Sequence, residues 1–125
     1  KRGFSVEQFD AETETLASSR KIPEGRLMLY LANLEPRSDQ TALRIYWSLH
    51  FALDLPRYPA EQPQVFVSFS NPYHLQDVPC IQTYINAYTA TEATACAVVE
   101  KLCGESQFQG RSPTDAFCGL PDTRL

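Results

Sequence analysis

The sequence predicts an α/β domain, a three-layer sandwich around a mainly parallel sheet whose first elements are missing. Three observations carry this. Leu27-Met28-Leu29-Tyr30-Leu31-Ala32 and Val65-Phe66-Val67-Ser68-Phe69 are short, nearly continuous apolar runs, as expected of strands covered on both faces. Between the strands and after them, apolar residues recur at helical spacing. The order of strand, helix, strand, turn, strand, helix then has the intervals of right-handed crossovers between parallel strands.

The elements follow in order. Gly3 to Phe9 alternates as a short strand would, and its abrupt start suggests that a preceding neighbour has been cut away. Asp10 to Arg20 reads as a helix, with Asp10 as cap, acids early and Arg20 late, in keeping with the helix dipole. Pro23 and Gly25 force a turn into the first apolar run. From Ser38 the period becomes helical through Leu43, Tyr46, Trp47, His50 and Phe51, and Pro56 and Pro59 end it. After the second apolar run, Asn71-Pro72-Tyr73 breaks the strand, a helical turn spans Leu75 to Val78, and Pro79 stops it. The stretch from Ile81 to Tyr88 is rich in β-branched and aromatic residues and predicts a third strand. Thr89-Ala90-Thr91-Glu92 supplies a capping box, Ala93 to Leu102 a helix, and Gly104 its stop. The polar, turn-rich close from Asp115 to Leu125 reads as a genuine chain end.

A chain of 125 residues and 14.1 kDa holds one domain, and it is too short for a catalytic barrel. Eleven basic against 15 acidic residues give a net charge of −4 without any basic cluster, which argues against nucleic acid as a partner. No apolar run approaches the roughly 18–20 residues that cross a bilayer, so a membrane is not expected as a partner either. Cys80, Cys96, Cys103 and Cys118 are too sparse to form a disulfide framework. Free thiols and a cytoplasmic location are the expectation. Cys96, Val99 and Cys103 share one side of the last helix, and the two cysteines read as core residues.

Ligands of parallel sheets gather beyond the carboxyl ends of the strands. The residues placed there are Asn33 and Glu35, then Asn71, Tyr73 and His74, then Tyr88. Glu35 and Asp77 are the carboxylates nearest strand ends, but nothing in their spacing makes them the converging pair that glycoside cleavage needs. His50 reads as a core histidine and His74 as a buttress of its loop. No nucleophile elbow, glycine-rich phosphate cradle, Cys-x-x-Cys pair or zinc-binding His-Glu-x-x-His helix is present, so no cofactor and no metal is expected. The rival readings are a free-standing flavodoxin-like binding or regulatory module and an autonomous hydrolase.

Four pieces then occur in a familiar order. They are the run from Val65 to Ser70 with Asn71-Pro72-Tyr73-His74-Leu75, the stretch Tyr84-Ile85-Asn86-Ala87-Tyr88, the helix ending at Leu102-Cys103-Gly104-Glu105, and Gly110-Arg111-Ser112-Pro113. Together they resemble the C-terminal domain of glycoside hydrolase family 3, in the branch of bacterial β-N-acetylhexosaminidases. The resemblance implies a parent that hydrolyses terminal N-acetylglucosamine-type bonds with catalytic residues on a preceding barrel. No catalytic residue of that family maps onto this chain by motif. The chain is therefore expected to be a non-catalytic domain, 1–125, inactive by itself, that packs against the barrel of the same parent, with carbohydrate as the parent's substrate. Its weak binding candidates are Asn71, Tyr73 and His74.

Overall fold

A computed structural model describes residues 3–8, 25–35, 37–39, 45, 63–78 and 81–120. Three strands, β1 (Met28–Ala32), β2 (Gln64–Ser68) and β3 (Thr83–Asn86), lie side by side in chain order, all parallel. A 3-10 helix, Pro72–Asp77, links β2 to β3, and helix α1 (Glu92–Leu102) follows β3. The expected α/β character and parallel sheet are both observed.

β2 is central and buried along its whole length, which explains its unbroken apolar pattern. The register puts Tyr30, Phe66 and Tyr84 in one row across the sheet. Their rings stack, with centroids 6.3 Å apart for Tyr30–Phe66 and 5.4 Å for Phe66–Tyr84. Leu75, Val78, Ile81 and Ala116 close over this face, with Ile45 and Phe117 at its margin. On the opposite face Val65, Val67 and Ile85 meet Val98 of α1, with Leu102 beside them. Leu29 and Leu31 pair with Val65 and Val67 and so point to that same face, yet they stay 44% and 63% exposed. Among the described residues, α1 covers β2 and β3 and leaves β1 open.

Several expectations need correction. Gly3 to Gln8 form no strand: Phe4 and Val6 are exposed, and an alternating pattern without a partner strand has no ladder to hold it. The helix expected over 10–20 lies outside the described residues, as does most of the one expected from Ser38. Of the latter, Ser38 and Asp39 form a turn, and Ile45 belongs to no regular element. The helical turn after β2 begins three residues early, because Pro72 occupies the first helical position, where its missing N–H costs nothing. β3 is shorter than the stretch from Ile81 to Tyr88. Ile81 packs into the core before the ladder starts, and Tyr88 turns left-handed after it ends.

α1 is capped by Thr91, whose hydroxyl accepts from the Thr94 N–H at 3.2 Å. Glu92 is thus the first helical residue, favoured there by the dipole, and not the far member of a capping box. At the other end, the Glu105 N–H bonds the Glu100 carbonyl and the Gly104 N–H that of Lys101, with Gly104 at φ 75. This is the paired closure that glycine permits at a helix end. The core assignment of the helix cysteines fails for Cys96, which is exposed, while Cys103 is half-buried. α1 has two apolar flanks, and the sheet takes the one carrying Val98 and Leu102.

Candidate functional site at the carboxyl rim of the sheet

The register ends all three strands at one level, where Ala32, Ser68 and Asn86 stand in a row. Asn33 and Glu35, then Asn71 to Tyr73, then Tyr88 therefore follow the strands at a common rim, while His74 turns inward and is buried. Asn33 and Glu35 are exposed there.

Ser68 organises the β2 corner. Its side chain is almost fully buried at 1% exposure, so its hydroxyl must find partners inside the protein. Ser68 Oγ donates to the Asn71 carbonyl at 2.7 Å and accepts from the Asn71 N–H at 3.3 Å, closing the turn. His74 Nδ1 lies 3.1 Å from the same oxygen. Since the shorter bond takes the serine proton to a carbonyl, Nδ1 carries the hydrogen and donates to Ser68. That polarity is opposite to a serine activated by histidine, where the hydroxyl proton must pass to the ring. The pair is structural. Asn71 caps the 3-10 helix, its Oδ1 accepting from the Tyr73 N–H at 2.9 Å, and its extended backbone is what a residue before proline adopts. The Tyr84 hydroxyl reaches up from the core to the carbonyls of Asn71 and Pro72, each at 3.3 Å. Burial chiefly pushes this phenol up to about 12, so it stays a neutral donor.

His74 is fully buried, and its Nε2 has no hydrogen-bond partner among the described residues. Burial lowers its pKa from 6.5, and the nearby Asp77 charge, which acts the other way, does not offset this. A histidine whose folded value is depressed leaves the unfolded chain to take up the proton first. Stability is then complete above about pH 6.5 and falls as pH drops below it. Urea midpoints should decline from pH 7 to pH 5, and His74→Gln should flatten part of that decline. An equally steep profile in the variant would assign the acid sensitivity to carboxylates alone.

The carboxylates serve the backbone. Asp77 accepts from the Ile45 N–H at 3.1 Å, and Asp115 accepts from the N–H groups of Phe117 and Gly119 at 2.9 and 2.6 Å. No group of three or more His, Cys, Asp or Glu side chains that could hold a metal occurs among the described residues. None of their helices is long and apolar enough to cross a membrane. A hollow of about 210 Å³ opens beside β1 between Tyr30, Ala32, Leu34, Ile45 and Phe66, below the roughly 300–1,000 Å³ of ordinary ligand pockets.

Two aromatic side chains remain exposed on the rim. Tyr73, on the 3-10 helix, is 43% exposed and Tyr88 42%. Tyr88 has φ 62, and its hydroxyl lies 2.8 Å from Ser112 Oγ. Ser112 in turn donates to the Thr114 carbonyl at 2.9 Å, so the loop that follows α1 is tied to the end of β3. Gln76 bonds the Ala116 carbonyl and ties that loop to the 3-10 helix as well. Ser68, Tyr84, Gln76 and Ser112 were missed as rim residues. A serine closing a run of buried apolar residues was the one available signal.

No family model matches the chain. A β-N-acetylglucosaminidase/β-glucosidase of Cellulomonas fimi is 48% identical over 99 residues, which is 79% of this chain and 18% of that protein. Among solved structures, a β-glucoside phosphorylase, BglX, superposes with a TM-score of 0.68 at 49% identity, covering 78% of this chain and 17% of its own. The same enzyme bound to 2FGlc gives 0.66 at 50% identity, covering 75% and 16%. The chain spans less than a fifth of each of these proteins, in their C-terminal portion.

Proposed function

From its kinship with a C-terminal portion of family 3 glycoside hydrolases, we propose that this chain is a non-catalytic α/β domain of a larger glycoside-processing enzyme. One observation carries the reading: the match is strong yet confined to a small share of much longer enzymes. The geometry supports it, because Ser68, His74, Asp77 and Asp115 are spent on holding loops. The names of the relatives point to β-linked N-acetylglucosaminides and β-glucosides as the parent's substrates, cleaved by water or by phosphate. The domain's role in the parent is to pack against the catalytic barrel and shape its rim. A cytoplasmic setting fits the scarcity of cysteine.

The purified chain should release no aryl alcohol from aryl N-acetylglucosaminide or aryl glucoside above background, with or without phosphate. Exchanged for the matching segment of the Cellulomonas fimi relative, it should sustain that enzyme's activity. Turnover by the chain alone that disappears with Glu35→Gln or Asp77→Asn would overturn the reading, as would a folded but inactive chimera.

A further inference from the structure

Ser68 and Asn86 are register partners at the carboxyl ends of β2 and β3. Two residues before them, Phe66 and Tyr84 stack on one face of the sheet, and because side chains alternate along a strand, Ser68 and Asn86 share that face. The Ala87 N–H bonds the Ser68 carbonyl at 2.8 Å and keeps the two strand ends together. His74 meets the same place from the 3-10 helix, with its Nδ1 3.1 Å from Ser68 Oγ. The His74 ring and the Asn86 amide are thus both neighbours of one buried serine.

Each of the two brings a buried acceptor that has no hydrogen-bond partner among the described residues. With the proton on Nδ1, His74 Nε2 offers only a lone pair, and Asn86 Oδ1 can only accept. Two acceptors cannot satisfy one another, and a buried polar atom left bare is costly. The remedy is a molecule that donates twice, and water is the smallest that does. Internal waters sit among two to four polar groups of this kind. We propose that one internal water bridges His74 Nε2 and Asn86 Oδ1, donating a hydrogen to each. It pins the turn after β2 to the end of β3, and so holds two of the rim's loops in a fixed relation by a link that neither side chain makes alone. The proposal concerns how the rim is held and does not depend on the glycan-processing reading.

The test is oxygen-17 relaxation dispersion of water in solutions of the 125-residue chain, which counts internal water molecules and is blind to exchanging hydroxyl protons such as those of Ser68 and Tyr84. His74→Phe and Asn86→Val each remove one acceptor, and each should lose one internal water relative to the unaltered chain. Because the water is shared, the double variant should also lose one and not two. In the unaltered chain, nitrogen-15 resonances of the neutral ring should show Nδ1 protonated and Nε2 accepting a hydrogen bond. An unchanged water count in either single variant, or the loss of two in the double, overturns the inference. So does a neutral ring protonated at Nε2, or a scalar coupling that shows the Asn86 amide donating straight to Nε2, and these two readings need no variant to fold.

Discussion

Replacing Phe66 by alanine is expected to cost about 3–5 kcal/mol, the range for emptying a large aromatic site in a core. Phe66 is 2% exposed and fills the space between Tyr30 and Tyr84. Those two rings come from β1 and β3, whose backbones are fixed by the ladders on either side of β2, so they cannot close over the gap. Domains of ordinary stability hold only about 5–15 kcal/mol in total, so the variant should lose a large share of its stability. Phe66→Leu, which keeps most of the volume, should cost about 1.5 kcal/mol or less. Urea denaturation of the three proteins decides it. A loss below about 1.5 kcal/mol for the alanine variant would show that the aromatic row can collapse.

Ser68→Ala is expected to be nearly as damaging although it removes a single oxygen. The change strands the His74 Nδ1–H and the Asn71 N–H in a dry environment, at a combined cost of about 2–3 kcal/mol. The Asn71 carbonyl keeps the Tyr84 hydroxyl and is spared. Removing both members of the buried pair should hurt less than the sum of the single changes, since Ser68→Ala with His74→Phe leaves no ring nitrogen to satisfy. Strict additivity in urea melts would mean that Ser68 and His74 are not coupled, and the shared-hydroxyl account of the turn would be wrong.

What the sequence disclosed depended on whether a residue's role was local. β2 was legible because both of its faces are buried, and the extent of α1 because an unbroken run of helix formers ends at a terminal glycine, although its cap lies two residues later than the capping box implied. The Asn-Pro turn announced itself through proline's fixed angle. The rim residues Tyr73 and Tyr88 were found by position alone, as the residues that follow parallel strands. Ser68 was hidden, for a serine in an apolar run looks tolerated until its burial shows that it must be bonded. The orientation of α1 was hidden too, because Ala95, Cys96 and Val99 make one apolar flank and Val98 with Leu102 another. Only the sheet decides between them. The pattern in Gly3 to Phe9 misled for the opposite reason, being periodic while no described strand pairs with Gly3 to Gln8.

The open side of β1 bears on how the chain behaves in solution. Among the described residues β1 is an outer strand, and Leu29 and Leu31 within it, at 44% and 63% exposure, set an apolar face beside its outer edge. Proteins guard such edges with lysine, proline or a bulge, because an uncovered one recruits strands from other molecules. Within β1 itself no residue is charged and none is proline. Light scattering of concentrated preparations is expected to show edge-to-edge association, and a single lysine in place of Leu29 or Leu31 is expected to reduce it.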